Sequence, residues 1–194
     1  MPSCLNQIIT ATSVQITYQG IDAVATLVQQ LNSQKGDYLH GNAITTKLNA
    51  NITVLPFRQV DLTNHHEMMA FRDFDIIISK HMLIHTPNNM IMHVLHNWNA
   101  TKAAYLVTDN WPYTETNNNI EFVQYREMDL HKAPFKLSPP QCRSVDEGMC
   151  HEQPKYAKPP HGCRGEINVY ELPIHVHSQY RPPATSRNCL TGDW

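Results

Sequence analysis

Residues 75 to 87 read DIIISKHMLIHTP, a short apolar run followed at once by polar residues and a proline. The run from Ile76 to Ile78 is typical of a strand that is buried on both faces of a parallel sheet. Pro87 suits the entrance of a following helix, because its fixed φ angle matches the first helical turn. We therefore predict a buried parallel strand here, with a helix directly after it.

The downstream residues continue this alternation. Residues 88 to 100, NNMIMHVLHNWNA, predict a helix that Asn88 or Asn89 can cap. Its apolar face comprises Ile91, Val94, Leu95 and Trp98. The next segment, KAAYLVTDNW, predicts a strand that ends near Asp109, before a polar, asparagine-rich loop. Strand, helix and strand in this order imply a parallel βαβ unit.

The upstream residues predict a second unit of the same kind. VQITYQGID, at 14 to 22, predicts a strand with Asp22 at its carboxyl end. AVATLVQQLNSQ then has apolar residues at helical spacing and predicts an amphipathic helix. ITVLPFRQVDL, at 52 to 62, predicts a strand that a proline interrupts and that ends at Asp61.

The sequence pattern changes from about Pro134 onward, where proline-rich stretches replace the alternation of strands and helices. We assign residues 1–135 to an α/β core and residues 136–194 to an irregular extension rich in proline and cysteine. One late edge strand is predicted in the extension, at about 166–174.

Charge argues against two classes of partner. The chain has 194 residues and a formal net charge of −2, so no excess of Lys or Arg is present to bind a phosphate backbone or an anionic membrane. We predict no nucleic-acid partner, and the sequence has neither a signal peptide nor an apolar run long enough to span a membrane.

The cysteines and two glycosylation sequons leave the compartment open. Four cysteines crowd the extension, namely Cys142, Cys150, Cys163 and Cys189. Their even number fits two disulfides in an oxidising compartment, and no CxxC pair favours zinc. The sequons at Asn51 and Asn99 point the same way if they are glycosylated.

Acids at strand ends are candidate ligand-binding groups, because ligands of doubly wound sheets bind across the carboxyl ends of the strands. Asp22 can accept both hydroxyls of a ribose, or it can be a solvated turn residue. Asp61 can accept an adenine amine, or it can cap the following helix. His81 and His85 share helical spacing with other histidines, but no cysteine or paired carboxylate completes a metal site, and we predict none.

Four ordered segments resemble class I S-adenosylmethionine-dependent methyltransferases. They are YQGID at 18–22, DIIISKHMLIHTP at 75–87, YLVT at 105–108 and QYREMDLHKAPF at 124–135. The resemblance covers roughly residues 14 to 172. It implies a Rossmann-like, mostly parallel sheet with flanking helices, S-adenosylmethionine as cofactor, and methyl transfer to an oxygen or nitrogen of an unknown acceptor.

The resemblance also implies roles for individual residues. Asp22 and Asp61 match the positions that bind ribose and adenine, and Ser79, Lys80 and His81 match the segment that faces the donor methyl group. His85 is then a proton acceptor or a hydrogen-bonded turn residue. Arg126 either holds a substrate carboxylate or forms a structural salt bridge.

The family also has a first strand and a glycine-rich turn that this sequence lacks, since no glycine precedes Gly20. We therefore expect weak cofactor binding from a chain that is a truncated enzyme or a degenerate domain. A non-catalytic binding module stabilised by disulfides in the secretory pathway is the alternative function.

Overall fold

The structure, a computed structural model, describes residues 14–34, 50–122, 124–145 and 165–174 and has a mixed α/β fold with small sheets. The strands are β1 (Val14–Tyr18), β2 (Ile21–Asp22), β3 (Ala50–Val54), β4 (Arg58–Gln59), β5 (Ile76–Ser79), β6 (Tyr105–Asn110), β7 (Cys142–Val145) and β8 (Glu166–Glu171). The α-helices are α1 (Ala25–Ser33), α2 (His65–Met68) and α3 (Asn88–Ala100), with single 3-10 turns at Met69–Phe71 and Leu83–His85.

Three sheets contain these strands. β1 pairs with β3 and β2 pairs with β4, both in parallel. The third sheet has the order β5-β6-β8-β7, in which β5 and β6 are parallel and β8 is antiparallel to both of its neighbours. The βαβ units predicted around α1 and α3 are therefore confirmed as parallel strand pairs.

Each upstream strand is divided in two by a short irregular stretch. β1 and β2 flank Gly20, and β3 and β4 flank Pro56, which cannot donate a backbone hydrogen bond. A Cβ atom on Gly20 would collide with the ring of Phe57, so a larger residue there would require this ring to move. Backbone hydrogen bonds continue across the interruption, because Arg58 donates to the Gly20 carbonyl at 3.0 Å.

The main hydrophobic core lies under α3. The predicted apolar face of this helix is confirmed, because Ile91, Val94, Leu95 and Trp98 are all buried. The same core cluster contains Leu106 of β6 and, beyond it, Phe135 and Leu137. The core therefore continues past residue 135, where the sequence predicted an extension.

The predicted burial of β5 is wrong. β5 is a parallel strand as expected, but its Ile76 is 51% exposed and its Ile78 is 68% exposed. The difference follows the two faces of the sheet, because Ile76 shares its face with Tyr105 of β6, which is also 43% exposed, whereas Ile77 lies on the other face and packs against the core. β5 is also the last strand of its sheet and pairs only with β6 among the described residues.

The predicted edge strand of the extension needs a similar correction. A strand is present at Glu166–Glu171, but it lies in the interior of the sheet, between β6 and β7. The edge is taken by β7, which forms in a proline-rich region where no strand was predicted. Long-range antiparallel pairing determines this order, and local sequence does not reveal it. No helix among the described residues has the length and apolar character needed to cross a membrane.

Candidate functional site

The carboxyl ends of β5 and β6 form the candidate site. Ser79 ends β5 opposite Thr108 of β6, and the next residue of β6 is Asp109. The chain turns sharply after β5, because His81 has a φ angle of 57°, a left-handed conformation that is uncommon for a residue with a side chain. The His81 amide donates a hydrogen bond to Asp109 Oδ2 at 3.1 Å, and this bond holds the turn against β6.

Asp109 is the principal electrostatic feature of the site. Burial raises the pKa of its carboxyl above the ordinary value, although the hydrogen bonds that it accepts and the nearby His81 oppose the shift. A carboxyl with a raised pKa can exchange a proton closer to neutral pH than an exposed one can. Asp109 is itself buried, and it contacts the turn through the hydrogen bond from the His81 amide.

Aromatic rings surround this turn. The His81 ring lies 6.3 Å from the ring of buried Trp111, and the His85 ring lies 5.8 Å from that of Tyr125. Burial, Glu127 and Asp109 together raise the pKa of the Tyr125 hydroxyl. The negative charge of Asp109 therefore acts on the Tyr125 hydroxyl, and the two residues share one electrostatic environment.

Ser79 and Lys80 lie where the sequence predicted them, at the end of β5. The Ser79 hydroxyl is buried and has no hydrogen-bond partner, whereas the Lys80 side chain is exposed. A buried hydroxyl without a partner costs free energy, so such a group is a candidate for binding a ligand or a water molecule.

His85 and Arg126 lie together beside α3. The His85 Nδ1 is 3.0 Å from the Gln124 carbonyl oxygen, which agrees with the interpretation of a hydrogen-bonded turn residue. The Arg126 guanidinium donates to the Thr86 carbonyl at 2.9 Å and to Asn88 Oδ1 at 2.7 Å. These contacts are with neutral oxygens at the start of a helix, and the described residues include no acidic partner for the salt bridge expected as one alternative.

Asp22 ends β2, whereas β4 stops at Gln59, two residues before the predicted end at Asp61, and both carboxylates accept hydrogen bonds within their own turns. Asp22 Oδ1 accepts a hydrogen bond from the Val24 amide at 2.7 Å, just before α1. Asp61 Oδ1 accepts from the amide and the hydroxyl of Thr63. The cap of α2 is instead Asn64, so the alternative of Asp61 as a helix cap is wrong. The Asp61 carboxylate is instead engaged in a turn, three residues before the cap position.

A buried polar network beyond β6 was not predicted. Asn117 accepts a hydrogen bond from the Asp129 amide at 2.8 Å and donates to the carbonyl oxygens of Asp129 and Ala133. Asn110, fully buried, accepts from the Leu130 amide at 2.7 Å. The side-chain amides of Asn110 and Asn117 connect this loop to the segment after Arg126. Asparagine suits these positions because its side chain both donates and accepts hydrogen bonds. The clustering of asparagines was the available signal.

A histidine lies inside the same region. His131 Nε2 is 3.3 Å from the Tyr170 hydroxyl, and Asn168 lies beside both. Burial lowers the pKa of His131, because an imidazolium is costly to desolvate.

Burial also raises the pKa of the Glu166 carboxyl, despite an ion pair with Arg143 at 3.8 Å.

The described residues contain no group of three or more His, Cys, Asp or Glu that could hold a metal ion. Cys142 at the start of β7 is disulfide-bonded, and every other cysteine lies outside the described residues. The sequon residue Asn99 uses its side-chain amide for two hydrogen bonds with the Ile174 backbone, at 2.8 and 3.0 Å. A glycan on Asn99 would disrupt that contact.

Comparison with known proteins identifies no family. No model of a known protein family matches the chain, and no characterised protein shows significant sequence similarity to it. The functional interpretation therefore depends on the geometry just described and on the ordered motifs of the sequence.

Proposed function

We propose that this chain is a Rossmann-like methyltransferase domain that binds S-adenosylmethionine at the carboxyl ends of its parallel strands and methylates an oxygen or nitrogen atom of an acceptor. One observation carries the proposal, namely two separate parallel pairs, β1-β3 and β5-β6, each connected through a helix. In a doubly wound sheet with strand order 3-2-1-4-5 these are the two pairs that flank the first strand, and no strand lies between them among the described residues.

Several residues of the chain suit this cofactor. Asp22 retains lone pairs beyond the one that Val24 occupies, and a carboxylate matches the vicinal hydroxyls of a ribose. Asp61 is exposed after the adjacent strand and can accept an amine hydrogen of adenine. The buried Ser79 hydroxyl has no partner and can bind a polar atom at the end of β5.

The chemistry of the proposal needs little from the protein beyond positioning. The cofactor, when bound, supplies an electrophilic methyl group. The turn at His81, which Asp109 holds beside buried Trp111, and the exposed ring of Tyr125 would orient an acceptor over the strand ends. His81 and His85 are exposed and can accept the proton that the acceptor loses.

Calorimetric titration with S-adenosylhomocysteine tests the proposal. We expect weak, saturable binding, because the chain has no glycine-rich turn before Gly20. Asp22→Asn should weaken binding by about tenfold or more, since a hydrogen bond to a charged group contributes roughly 1.5–3 kcal/mol. Asp73→Asn, an exposed aspartate in the turn before β5, is the matched control. Absence of binding, or equal losses in both variants, would contradict the proposal.

The disulfide at Cys142 favours a second function, a non-catalytic module of an oxidising compartment. In that case the protein should show no affinity for the cofactor, and Cys142→Ser should destabilise it by about 2–5 kcal/mol. Mass spectrometry after alkylation without reduction provides the check. Modification of Cys142 under those conditions would exclude this second function.

A further inference from the structure

We propose that the Arg126 guanidinium and the start of α3 form a binding site for an oxyanion, the carboxylate or phosphate group of a ligand. The site consists of the Arg126 side chain and the backbone amides of Asn89 and Met90, and we call it the Arg126 site. The inference does not depend on methyl transfer, because none of these groups binds the cofactor in the proposed function.

The first observation is a buried charge without a counter-ion. Arg126 is only 8% exposed, and an arginine side chain stays charged in proteins. No acidic side chain among the described residues forms an ion pair with it, whereas Arg143 has Glu166 at 3.8 Å. Burial accordingly lowers the pKa of the Arg126 guanidinium. Buried charges in proteins are almost always paired, so the missing partner indicates a ligand of negative charge.

The second observation is the set of donors that Arg126 leaves unused. A guanidinium carries five N–H groups in a fixed planar fork. Two of them donate to the Thr86 carbonyl at 2.9 Å and to Asn88 Oδ1 at 2.7 Å, and these bonds direct the guanidinium at the first turn of α3. The buried Nε has no hydrogen-bond partner. An anion beside the guanidinium would compensate its charge, and the cost of burying an unpaired charged donor would fall.

The third observation is the start of α3 itself. This helix has 13 residues, and the amino-terminal end of a helix carries a partial positive charge. The Asn88 amide donates to Asn119 Oδ1, but the amides of Asn89 and Met90 have no acceptor among the described residues. Asn89 is exposed, so an anion can approach this end of the helix from solvent. Unpaired amides at a helix start are ready donors to carboxylate and phosphate oxygens.

The groups that hold the Arg126 site supply dipoles but no negative charge. The first turn of α3 contains no acidic residue. The acceptors for the arginine and the helix start belong to Thr86, Asn88 and Asn119, and all of them are neutral. An aspartate at the start of the helix would cap it and also neutralise the arginine, if fixing this loop were the only requirement. The neutral acceptors instead leave the positive charge of the guanidinium and of the helix available to an external anion.

Nuclear magnetic resonance of the full chain tests this inference. The probes are sodium phosphate and sodium acetate, each titrated against sodium chloride at constant ionic strength. The signals to follow are the Arg126 Nε–H group and the amides of Asn89 and Met90. We expect these signals to shift saturably with phosphate, with acetate or with both. A response to phosphate alone would identify a phosphate ligand, and a response to acetate alone would identify a carboxylate. Shifts no larger than those with chloride for both anions would overturn the proposal.

Two variants locate the anion. Arg126→Gln should weaken the response of the Asn89 and Met90 amides at least about tenfold, because the charge-assisted hydrogen bonds are lost. Arg72→Gln, at an exposed arginine before β5, is the matched control and should respond like the unchanged protein. Unchanged affinity in Arg126→Gln, or equal losses in the two variants, would contradict the inference. Should Arg126→Gln fail to fold, the Arg126 Nε–H signal of the unchanged protein decides, because an anion at this site must shift it.

Discussion

β5 and β6 are parallel neighbours in one sheet, yet their environments are opposite. Leu106 of β6 is 0% exposed, whereas Ile78 of β5 is 68% exposed. The register pairs Leu106 with Ile77, so Ile78 lies on the opposite face of the sheet, and β5 also has a strand on only one side among the described residues. The comparison shows that an apolar pattern specifies a strand, whereas burial depends on what covers each face of it.

The largest expected effect comes from truncating one side chain in each strand. Leu106→Ala should lower the free energy of unfolding by about 2–5 kcal/mol, because it leaves a cavity in a closely packed core. Ile78→Ala should change it by less than about 0.5 kcal/mol, because little buried surface is lost. Urea unfolding measured at one temperature tests both. Similar losses in the two variants would mean that β5 is covered in solution.

A second prediction concerns the polar residues that hold the segment after β6. Asn117→Ala should lower the free energy of unfolding by roughly 2–3 kcal/mol, since it leaves buried backbone groups of Asp129 and Ala133 without partners. The adjacent Asn118 is exposed, and Asn118→Ala is the matched control, with an expected change below about 0.5 kcal/mol. Thermal unfolding of both variants would show the contrast. Equal melting temperatures would mean that the network contributes no net stability.

A third, smaller effect is expected at the start of α3. The Asn119 side-chain oxygen accepts a hydrogen bond from the Asn88 amide at 2.8 Å, so a residue distant in sequence caps the helix. Asn119→Ala should therefore cost about 1 kcal/mol, the usual value of a helix cap. Chemical unfolding provides the measurement, again with Asn118→Ala as the control. No difference between the two variants would show that water replaces this cap without loss.

The same comparison of strands explains which parts of the fold could be predicted from the sequence. Local patterns predicted α3, β6 and the interruption of the strand at 52–62 by Pro56, because periodicity and proline act over a few residues, but they did not predict the division of the first strand at Gly20. They did not predict the exposed edge of β5 or the interior position of β8. Those features depend on pairing between segments far apart in the chain, such as Leu106 opposite Tyr170.

The candidate site shows a similar division. The motifs correctly placed Ser79 and His81 at the end of a strand, because the apolar run that forms β5 stops at Ser79. Asp109 and Tyr125 were missed as a pair, because their electrostatic coupling arises only after folding. Arg126 was noticed, but its partners are carbonyl and amide oxygens that carry no charge signal in the sequence.

The smallest expected effect is a pH dependence from the carboxyl end of β6. Because burial raises the pKa of Asp109, the folded state holds a proton that the unfolded state releases as pH rises above about 3.8. Asp109 therefore favours folding most at low pH, and this contribution is lost as pH rises through the folded-state pKa. The loss is modest, since hydrogen bonds from His81 and Thr108 partly offset the burial. Asp109→Asn should thus show a flatter decline in unfolding free energy than the unchanged protein as pH rises from about 3.8 through the folded-state pKa of Asp109. Parallel curves for the two proteins would show that Asp109 titrates alike in the folded and unfolded states and would contradict this prediction.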